Sequence, residues 1–276
     1  MSLSYEIITS RQNALLVETH KLADRKHRTR QGLFRFDGVK LASEAIARGV
    51  ELTAVLLRQS NAEAVVDRVT ALAAKGLPDT ARCVMVADHV FDSLSEESAP
   101  EGIICVARLQ DVWHRTWRGD MDVPPLDERI VLLESVRDPS NLGAIIRSAA
   151  ALGVDRLILS ADCADIYSAK TVRASMGTLF SQRIDRTDDL TEYIVRLRES
   201  GRRVFAAALD ERAQRLGSFE VLTGDCAVIG NEGHGLTQET IKACGQTVYI
   251  PMTDRAESLN AAVAAALLMW EFGKQR

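Results

Sequence analysis

The sequence predicts an α/β protein whose C-terminal half contains a parallel sheet. Three stretches, residues 129–153, 226–237 and 249–272, share one design: an apolar strand, a polar turn or loop, and a helix. Repetition of this unit aligns parallel strands, and the polar loops then gather where the strands end, at one edge of the sheet. A hydrophobic content of 46% can fill a sizeable core. We therefore expect an open, doubly wound sheet that carries a site at that edge.

The length of 276 residues predicts two domains, because it exceeds the common size of a single domain. Strand and helix patterns alternate early in the chain, which predicts a small α/β domain over residues 1–110. Its elements are helices at 11–27, 39–48 and 62–75 and strands at 33–36, 53–57 and 83–86, with a basic turn at 28–32. Residues 111–128 lose the pattern and contain Pro and Gly, which is typical of a linker.

Residues 129–276 form the second predicted domain, in which strands and helices alternate. The predicted strands are 130–133, 156–160, 203–206, 227–230 and 248–250. The predicted helices are 141–152, 169–176, 189–200, 237–244 and 258–272. The last helix has apolar residues on several sides, which indicates a helix that is contacted on more than one face.

Charge is distributed unevenly along the chain. The formal net charge of −4 argues against a uniformly basic nucleic-acid binder. Between Lys21 and Lys40, however, seven basic residues face only Asp24 and Asp37, which leaves a local balance of +5. Such a segment is either an RNA-binding surface or a solvated helix face, and composition does not choose between them.

The five cysteines are scattered and odd in number, without a CxxC or Cys/His pairing, so we expect buried thiols in a reducing compartment and no metal site. The start of the chain does not resemble a signal peptide. The longest apolar run, Ala261–Trp270, is shorter than the roughly 20 residues that span a bilayer. We expect a soluble, cytoplasmic protein that does not enter a membrane.

Three motifs resemble, in order and spacing, those of the SpoU (TrmH-like) RNA 2′-O-ribose methyltransferases of the SPOUT superfamily. They are Asn141-x-Gly143-x-x-x-Arg147, then Gly230-Asn231-Glu232-Gly233-x-Gly235-Leu236, then Ile250-Pro251-Met252 followed by Ser258-Leu259-Asn260. The stretch 170–177, KTVRASMG, is similar to an intermediate signature of that family. The four matches span about the last half of the chain, and together they are far more specific than any one of them.

The N-terminal half also resembles a known domain. The patterns Ile8-x-Ser10-x-x-Asn13 and Arg28-x-x-x-Gly32-x-Phe34-x-x-Asp37-Gly38 are similar to the ribosomal-protein-like RNA-binding domain that many SpoU enzymes carry. The family more often has Glu at the position of Asp37. For the C-terminal domain, the resemblance implies a parallel-sheet fold with a deep trefoil knot, through which family members form homodimers.

The resemblance implies methyl transfer from S-adenosylmethionine to a ribose 2′-hydroxyl of structured RNA, with no metal. The catalytic positions that it implies are Asn141, Arg147, Glu232, Ser258 and Asn260. The implied cofactor-binding positions are Gly230, Asn231, Gly233, Ile250, Met252, Ser258 and Leu259. Candidate RNA-binding residues are Arg28, Arg30, Arg35 and Arg173. Ribosomal RNA is favoured over transfer RNA, because family members that act on transfer RNA commonly lack the N-terminal domain.

Several alternatives stay open. Arg147 either holds the phosphate beside the target ribose or pairs with Glu134 or Asp138, and the proton acceptor is phosphate, water or an unusual arginine. Trp113 and Trp117 either stack on RNA bases or pack the domains together. A catalytically silent RNA-binding protein is a second possible function. A nucleotide-dependent oxidoreductase or ligase is disfavoured, because GNEGHG is not G-x-G-x-x-G and no Walker lysine is present.

Overall fold

A computed structural model describes residues 5–111 and 113–274, and the chain divides into two compact units. Unit 1 groups the residues up to Gln110 with Asp165–Phe180, and unit 2 groups Asp111–Ala164 with the residues from Ser181 onward. This division differs from the predicted one in two places, because unit 2 includes residues 111–128, predicted as a linker, and unit 1 includes an internal segment. Asp165–Phe180 lies in the predicted second domain, yet its contacts are with unit 1.

The N-terminal part alternates short strands and helices, as its sequence pattern predicts. In chain order its elements are β1 Ile7–Ile8, α1 Ala14–Lys21, α2 Arg25–Gln31, β2 Leu33–Asp37, α3 Val39–Ala47, β3 Leu52–Arg58, α4 Ala62–Ala73, β4 Arg82–Val86, α5 Asp88–Leu94 and β5 Ile103–Arg108. The strands form one sheet in the order β1-β4-β3-β5-β2. Strand β5 is antiparallel to both β3 and β2, whereas β4 is parallel to β3 and β1.

The remaining elements are the strands of a second, wholly parallel sheet and the helices that follow them in sequence. They are β6 His114–Trp117, β7 Ile130–Leu133, α6 Pro139–Leu152, β8 Arg156–Ser160, α7 Ala169–Ser175, β9 Arg183–Thr187, α8 Leu190–Glu199, β10 Val204–Ala207, β11 Gln214–Arg215, β12 Cys226–Ile229, α9 Gln238–Cys244, β13 Gly245–Tyr249 and α10 Ala261–Phe272. The strand order is β11-β13-β10-β12-β7-β8-β9-β6. All of the pairings are parallel, so the expected α/β class and parallel sheet are confirmed.

Two predictions from the sequence were wrong at the level of elements. Residues 28–32, predicted as a basic turn, belong mostly to α2, because Asp24 caps the helix start and Gly32 ends it with φ at 65°, a conformation that glycine adopts without a Cβ clash. The linker at 111–128 contributes β6 to the sheet of unit 2. Within it, Trp117 is buried and its ring lies 4.5 Å from that of Tyr193, so this tryptophan packs inside unit 2.

The segment Asp165–Phe180 completes the core of unit 1. The ring of Tyr167 lies 4.6 Å from Phe34, and that of Phe180 lies 5.2 Å from Phe36. Tyr167 Oη also accepts a hydrogen bond from the backbone N–H of Gln110 at 2.8 Å. The segment is therefore part of the hydrophobic core that the phenylalanines of β2 begin.

The five cysteines are free thiols, and four of them are buried. Burial raises the pKa of Cys226 to about 12, which keeps this thiol protonated and inert. Across residues 5–111 and 113–274, no helix is long and apolar enough to cross a membrane.

Candidate functional site

The three polar loops that follow β7, β12 and β13 belong to one edge of the parallel sheet. Strand β12 pairs with β7 on one side and with β10 on the other, and β10 pairs with β13. Since all of these strands are parallel, their carboxyl ends point the same way. Helix α6 follows β7, α9 follows β12, and α10 follows β13, so three helix starts are close to this edge.

The loop after β12 is a tight turn closed by its own backbone. Asn231 N–H donates to Gly235 O at 3.1 Å, and Gly235 N–H donates to Asn231 O at 2.9 Å. Asn231 Oδ1 accepts from the backbone N–H of Gly233 at 2.8 Å, which fixes the turn from inside. A Cβ on Gly230 would lie 2.3 Å from the carbonyl carbon of Gly235, so only glycine fits there. Gly230 is thus required by the shape of the loop.

A second set of hydrogen bonds ties this loop to the turn after β7. Asn231 Nδ2 donates to the carbonyl oxygen of Ser135 at 2.8 Å. Ser135 has a left-handed backbone with φ at 55°, and its hydroxyl donates to Asp162 Oδ2 at 2.5 Å. Burial raises the pKa of Asp162, but hydrogen bonds from Ser135, Ser160 and Arg137 outweigh it and lower that pKa to about 2. The ionised carboxylate therefore holds a strained turn on which the loop depends.

Glu134 anchors the other end of the loop, at the start of α9. Its buried carboxylate accepts from Thr237 N–H at 2.8 Å, from Thr237 Oγ1 at 2.9 Å and from Thr240 Oγ1 at 2.6 Å. A buried charge is stable only when it is satisfied in this way. The carboxylate of Glu134 is therefore committed to α9 and does not pair with Arg147.

A chain of three polar side chains links the loops after β7, β12 and β13. Asn141 Nδ2 donates to Glu232 Oε1 at 2.5 Å, and Asn141 Oδ1 accepts from Asn260 Nδ2 at 3.0 Å. Asn260 also caps α10, since its Oδ1 accepts from Ala262 N–H at 2.9 Å. The structure thus brings together three of the five predicted catalytic residues, one from each motif.

A cavity of about 510 Å³ lies next to the hydrogen-bonded side chains Glu232, Asn141 and Asn260 in unit 2. All seven predicted cofactor-binding residues line it: Gly230, Asn231, Gly233, Ile250, Met252, Ser258 and Leu259. Glu232, predicted as catalytic, also lines the cavity. The remaining lining is mostly apolar, as is common for sites that bind a small organic ligand.

Sequence reasoning missed part of the cavity wall. Leu209, Tyr249 and Glu257 line the cavity, and so do His234 and Gln238. Leu209 follows β10, whose loop carries no motif, so nothing in the sequence indicated it. Glu257 directly precedes the third motif, and its carboxylate could have been noticed for that reason. Glu232 and Glu257 give this wall two carboxylates, and no Lys, Arg or Asp is among the described residues that line it.

Arg147 is exposed on α6. Within residues 5–111 and 113–274 it makes no hydrogen bond or ion pair, so neither Glu134 nor Asp138 neutralises it. Asp138 instead caps α6, accepting from the backbone N–H groups of Ser140 and Asn141 at 2.8 and 2.9 Å. An unpaired, exposed guanidinium is available to an anion from solution.

The four predicted RNA-binding arginines divide into two pairs. Arg28 and Arg35 are buried, which is a correction to the expectation that they face RNA. Arg28 donates to Leu22 O and to Asp165 Oδ2, and Arg35 donates to Leu94 O and to Glu96. Arg30 and Arg173 are exposed, with Arg30 bonded to His27 and Arg173 to Glu97. Sequence could not separate the pairs, because it does not show which faces of α2, β2 and α7 are buried.

Two family descriptions match the chain, and together they cover most of it. Residues 128–270 match the SpoU rRNA Methylase family, and residues 13–105 match the MRM3-like substrate binding domain. A 23S rRNA (guanosine(2553)-2′-O)-methyltransferase, RlmP, from Bacillus subtilis (strain 168) is 28% identical over 265 residues, which are 95% of this chain and 97% of the relative. The 23S rRNA (uridine(2479)-2′-O)-methyltransferase of Streptomyces viridochromogenes is 31% identical, over 98% of this chain and 92% of the relative.

A solved structure agrees with these matches. The AdoMet-bound rRNA methyltransferase from Sinorhizobium meliloti superposes with a TM-score of 0.79 at 27% identity, over 97% of each chain. The three motifs, their meeting point at one edge of a parallel sheet and the full-length similarity all lead to the same conclusion. This chain belongs to the SpoU rRNA methylase family.

Proposed function

We propose that this protein transfers a methyl group from S-adenosylmethionine to a ribose 2′-hydroxyl of ribosomal RNA. The observation that carries the proposal is the hydrogen-bonded chain Glu232–Asn141–Asn260 beside the 510 Å³ cavity. This polar cluster can orient a hydroxyl, and it lies beside a cavity that can hold a cofactor. The full-length relatives act on 23S rRNA by name, which favours ribosomal RNA as the substrate.

The cavity fits S-adenosylmethionine better than it fits an anionic nucleotide. S-adenosylmethionine carries a sulfonium and an ammonium group against one carboxylate, so its net charge is positive, whereas ATP and NAD are negative. The lining offers two carboxylates and no Lys or Arg among the described residues. Because opposite charges attract, these carboxylates favour a cationic ligand over an anionic one. When bound, the cofactor supplies an electrophilic methyl group, and Gly230, Ile250 and Leu259 would hold it along the loop backbones.

The reaction needs the ribose hydroxyl held in line with the methyl group, and its developing negative charge stabilised. Asn141 Nδ2 uses one N–H on Glu232, and Asn260 Nδ2 uses one on Asn141, so each amide has a second N–H for the RNA. We assign the exposed guanidinium of Arg147 to the phosphate beside the target ribose. Ser258, exposed at the start of the same loop-to-helix turn, lines the cavity and completes the wall.

Unit 1 is assigned to RNA binding, and its exposed cations carry that role. With Arg28 and Arg35 committed to the interior, the exposed basic side chains of unit 1 include Arg25, Lys26 and Arg30 on α2 and Arg173 on α7. Charges in these positions contact phosphates without selecting a sequence. The family description of residues 13–105 as a substrate binding domain supports this division of labour.

Helix α10 offers a surface for a second copy of the chain. Val263, Leu267 and Trp270 recur on one side of the helix at a spacing of four and three residues, and each is at least 41% exposed. Exposed apolar residues in such a row mark an interaction surface. We infer a homodimer through this face, next to the knot that the family resemblance implies. Sedimentation of Trp270→Glu beside the unchanged chain tests it, since a monomer is expected only for the variant.

Mass-spectrometric mapping of ribose methylation in total RNA, from cells with and without the gene, tests the proposed activity. Loss of a single 2′-O-methyl group from ribosomal RNA is the expected result, and the purified chain should restore it with S-adenosylmethionine. A methyl group lost only from transfer RNA would overturn the assigned substrate. An unchanged methylation map, together with no binding of S-adenosylmethionine in calorimetry, would support the silent RNA-binding alternative.

A further inference from the structure

Unit 1 contains a pocket that the proposed chemistry does not use. It has a volume of about 280 Å³ and lies where α1 and α2 cross one face of the sheet. Most of its wall is apolar, formed by Leu15, Leu22, Leu33, Ala54 and Val106. Ligand pockets commonly measure roughly 300–1,000 Å³, so this one suits a single small ring system.

The sheet is irregular at the pocket. The pairing of β3 with β5 slips between Leu52 and Ala54, so that Thr53 bulges out of the ladder. Thr53 lines the pocket, and its hydroxyl donates to Val106 O at 3.2 Å. Bulges often occur beside binding sites, because the extra residue aims a side chain in a new direction. The bulge places a polar group in an otherwise apolar wall.

A chain of three side chains fixes a cation beside the same pocket. His27 is buried, its Nε2 lies 3.0 Å from Glu18 Oε2, and its Nδ1 lies 2.8 Å from a guanidinium nitrogen of Arg30. A guanidinium only donates hydrogen bonds, so Nδ1 accepts and the ring proton is on Nε2, where Glu18 accepts it. Glu18 and His27 both line the pocket, and through them the position of Arg30 is defined.

The surroundings of the pocket carry the charge that a nucleic acid requires. Arg25, Lys26 and Arg30 are exposed on α2, whose residues His27 and Gln31 line the pocket. Of the other charged groups there, Glu18 is paired with Lys21 and Arg82 with Glu6. Arg25 lies 3.9 Å from Asp165, whereas no acidic partner of Lys26 or Arg30 is found among the described residues. An apolar slot beside these exposed cations matches a planar base with its flanking phosphates.

We propose that this pocket binds one unpaired RNA base, with Arg30 on a neighbouring phosphate. The proposal rests on RNA being the substrate, and it adds a subsite in unit 1, separate from the Glu232–Asn141–Asn260 cluster. Leu15 and Leu33 contact the faces of the base, and the amide of Gln31 and the hydroxyl of Thr53 meet its polar edge. Single-stranded or looped RNA is therefore preferred over a continuous duplex, whose bases are stacked and paired.

Binding of labelled RNA to the full-length protein tests this subsite. The probes are fluorescein-labelled oligo(U) and oligo(A) strands of about 12 nucleotides, within the usual site size, and a duplex of the same length. Leu15→Gln removes apolar contact from the pocket wall and should weaken single-strand binding about fivefold or more, with duplex binding unchanged. The control Leu72→Gln alters a 59% exposed leucine on α4, outside the pocket lining, and should bind the single strands and the duplex normally.

Arg30→Ala separates the base contact from the phosphate contact. It should weaken binding of the single strands and of the duplex, and it should reduce the slope of log affinity against log salt by about 0.7 for the single strand. Leu15→Gln should leave that slope unchanged. Photo-crosslinking of a strand containing 4-thiouridine to the unaltered protein gives an answer even if Leu15→Gln folds poorly. Crosslinked peptides from α1, β2 or the Thr53 bulge are expected.

Two results overturn the subsite: normal single-strand binding by a folded Leu15→Gln, or crosslinks found only outside the pocket. Methylation of ribosomal RNA by the same variants keeps this failure distinct from failure of the proposed function. A Leu15→Gln variant that binds and methylates like the unaltered protein overturns the pocket alone. Absence of methyl transfer by the unaltered protein overturns the proposed function, whatever the crosslinks show.

Discussion

Asn141 Nδ2 donates a hydrogen bond to Glu232 Oε1 at 2.5 Å, although the two residues are 91 positions apart in the chain. A charge-assisted bond of this length fixes the asparagine amide, so that its oxygen faces Asn260 Nδ2. The orientation of both amides therefore follows from the charge on Glu232. Changes at Asn141 should act on the reaction through this bond.

Asn141→Asp tests the bond without changing the size of the side chain. Two carboxylates then face each other, and neither can donate, so turnover should fall by on the order of 10²-fold at neutral pH. Lowering the pH protonates one of them and restores a donor, so part of the activity should return. The pH dependence of kcat measures this recovery. Asn141→Ala lacks the carboxyl, and a similar recovery in that variant would contradict the explanation.

Arg147 is expected to act on the RNA alone. Because it is exposed and unpaired among the described residues, Arg147→Ala should leave the melting temperature and S-adenosylmethionine affinity nearly unchanged. Turnover should fall by on the order of 10²-fold, the scale for losing one charge-stabilising group. Arg147→Lys keeps the charge and loses the planar fork, so weak rescue would indicate bidentate phosphate recognition. A variant that melts early or loses cofactor would show a structural role instead.

Glu257 should discriminate between the cofactor and its demethylated product. The cofactor carries a sulfonium charge and the product does not. A carboxylate in the cavity wall therefore attracts the cofactor more strongly than the product, although their other contacts are the same. Glu257→Gln should weaken S-adenosylmethionine binding up to about fivefold, the scale of an exposed ion pair, with little effect on product affinity. Isothermal calorimetry measures both. Glu239→Gln, an exposed charge on α9 outside the cavity lining, is the matched control.

Asp162 should make the protein sensitive to acid. Since the pKa of Asp162 is lowered from 3.8 to about 2 in the folded state, the carboxylate stabilises the fold above pH 4, and this contribution disappears between about pH 4 and pH 2. Asp162→Asn should therefore lower the free energy of unfolding at pH 7 and remove this part of the acid dependence. Urea unfolding at several pH values measures both effects. Parallel pH profiles for the two proteins would argue against it.

Arg28 and Arg25 provide a matched pair on α2. Arg28→Ala leaves Asp165 and two carbonyl oxygens without their buried partner, so it should lower the free energy of unfolding by about 3 kcal/mol. Arg25→Ala removes an exposed charge and should change it by less than about 0.5 kcal/mol. Chemical denaturation distinguishes them. Equal, small losses would return Arg28 to the RNA-binding surface.

The second sheet could be predicted well because its strands are apolar and its helices have strong start signals. β7 and β8 begin and end where the pattern places them, and α6 begins at a proline that follows a capping aspartate. The strands β6, β9 and β11 were missed, since His114–Trp117, Arg183–Thr187 and Gln214–Arg215 carry charged residues. Within β9 the buried Asp185 pairs with Arg115 of β6 and with Arg156 of β8. Pairing of this kind is decided by tertiary contacts and leaves no local pattern.

The site could be predicted only as far as its motifs reach. The family resemblance implied Asn141, Glu232 and Asn260, but the bonds among them depend on how three loops converge. For Arg28, the local sequence pattern led to a wrong prediction. Its place in a basic run suggested an exposed RNA contact, whereas the fold buries it against Asp165, a residue 137 positions away. A charge pattern along the sequence does not show which charged side chains form ion pairs in the folded protein.

The grouping of Asp165–Phe180 with unit 1 means that the chain passes between the two units three times, after Gln110, after Ala164 and after Phe180. A single cut therefore releases neither unit whole. A fragment that ends at Gln110 lacks the rings that pack on Phe34 and Phe36, and one that begins at residue 121 carries those rings without their partners and lacks β6. Replacing unit 1 by another module would therefore require two replacements in the chain, one for the residues up to Gln110 and one for Asp165–Phe180.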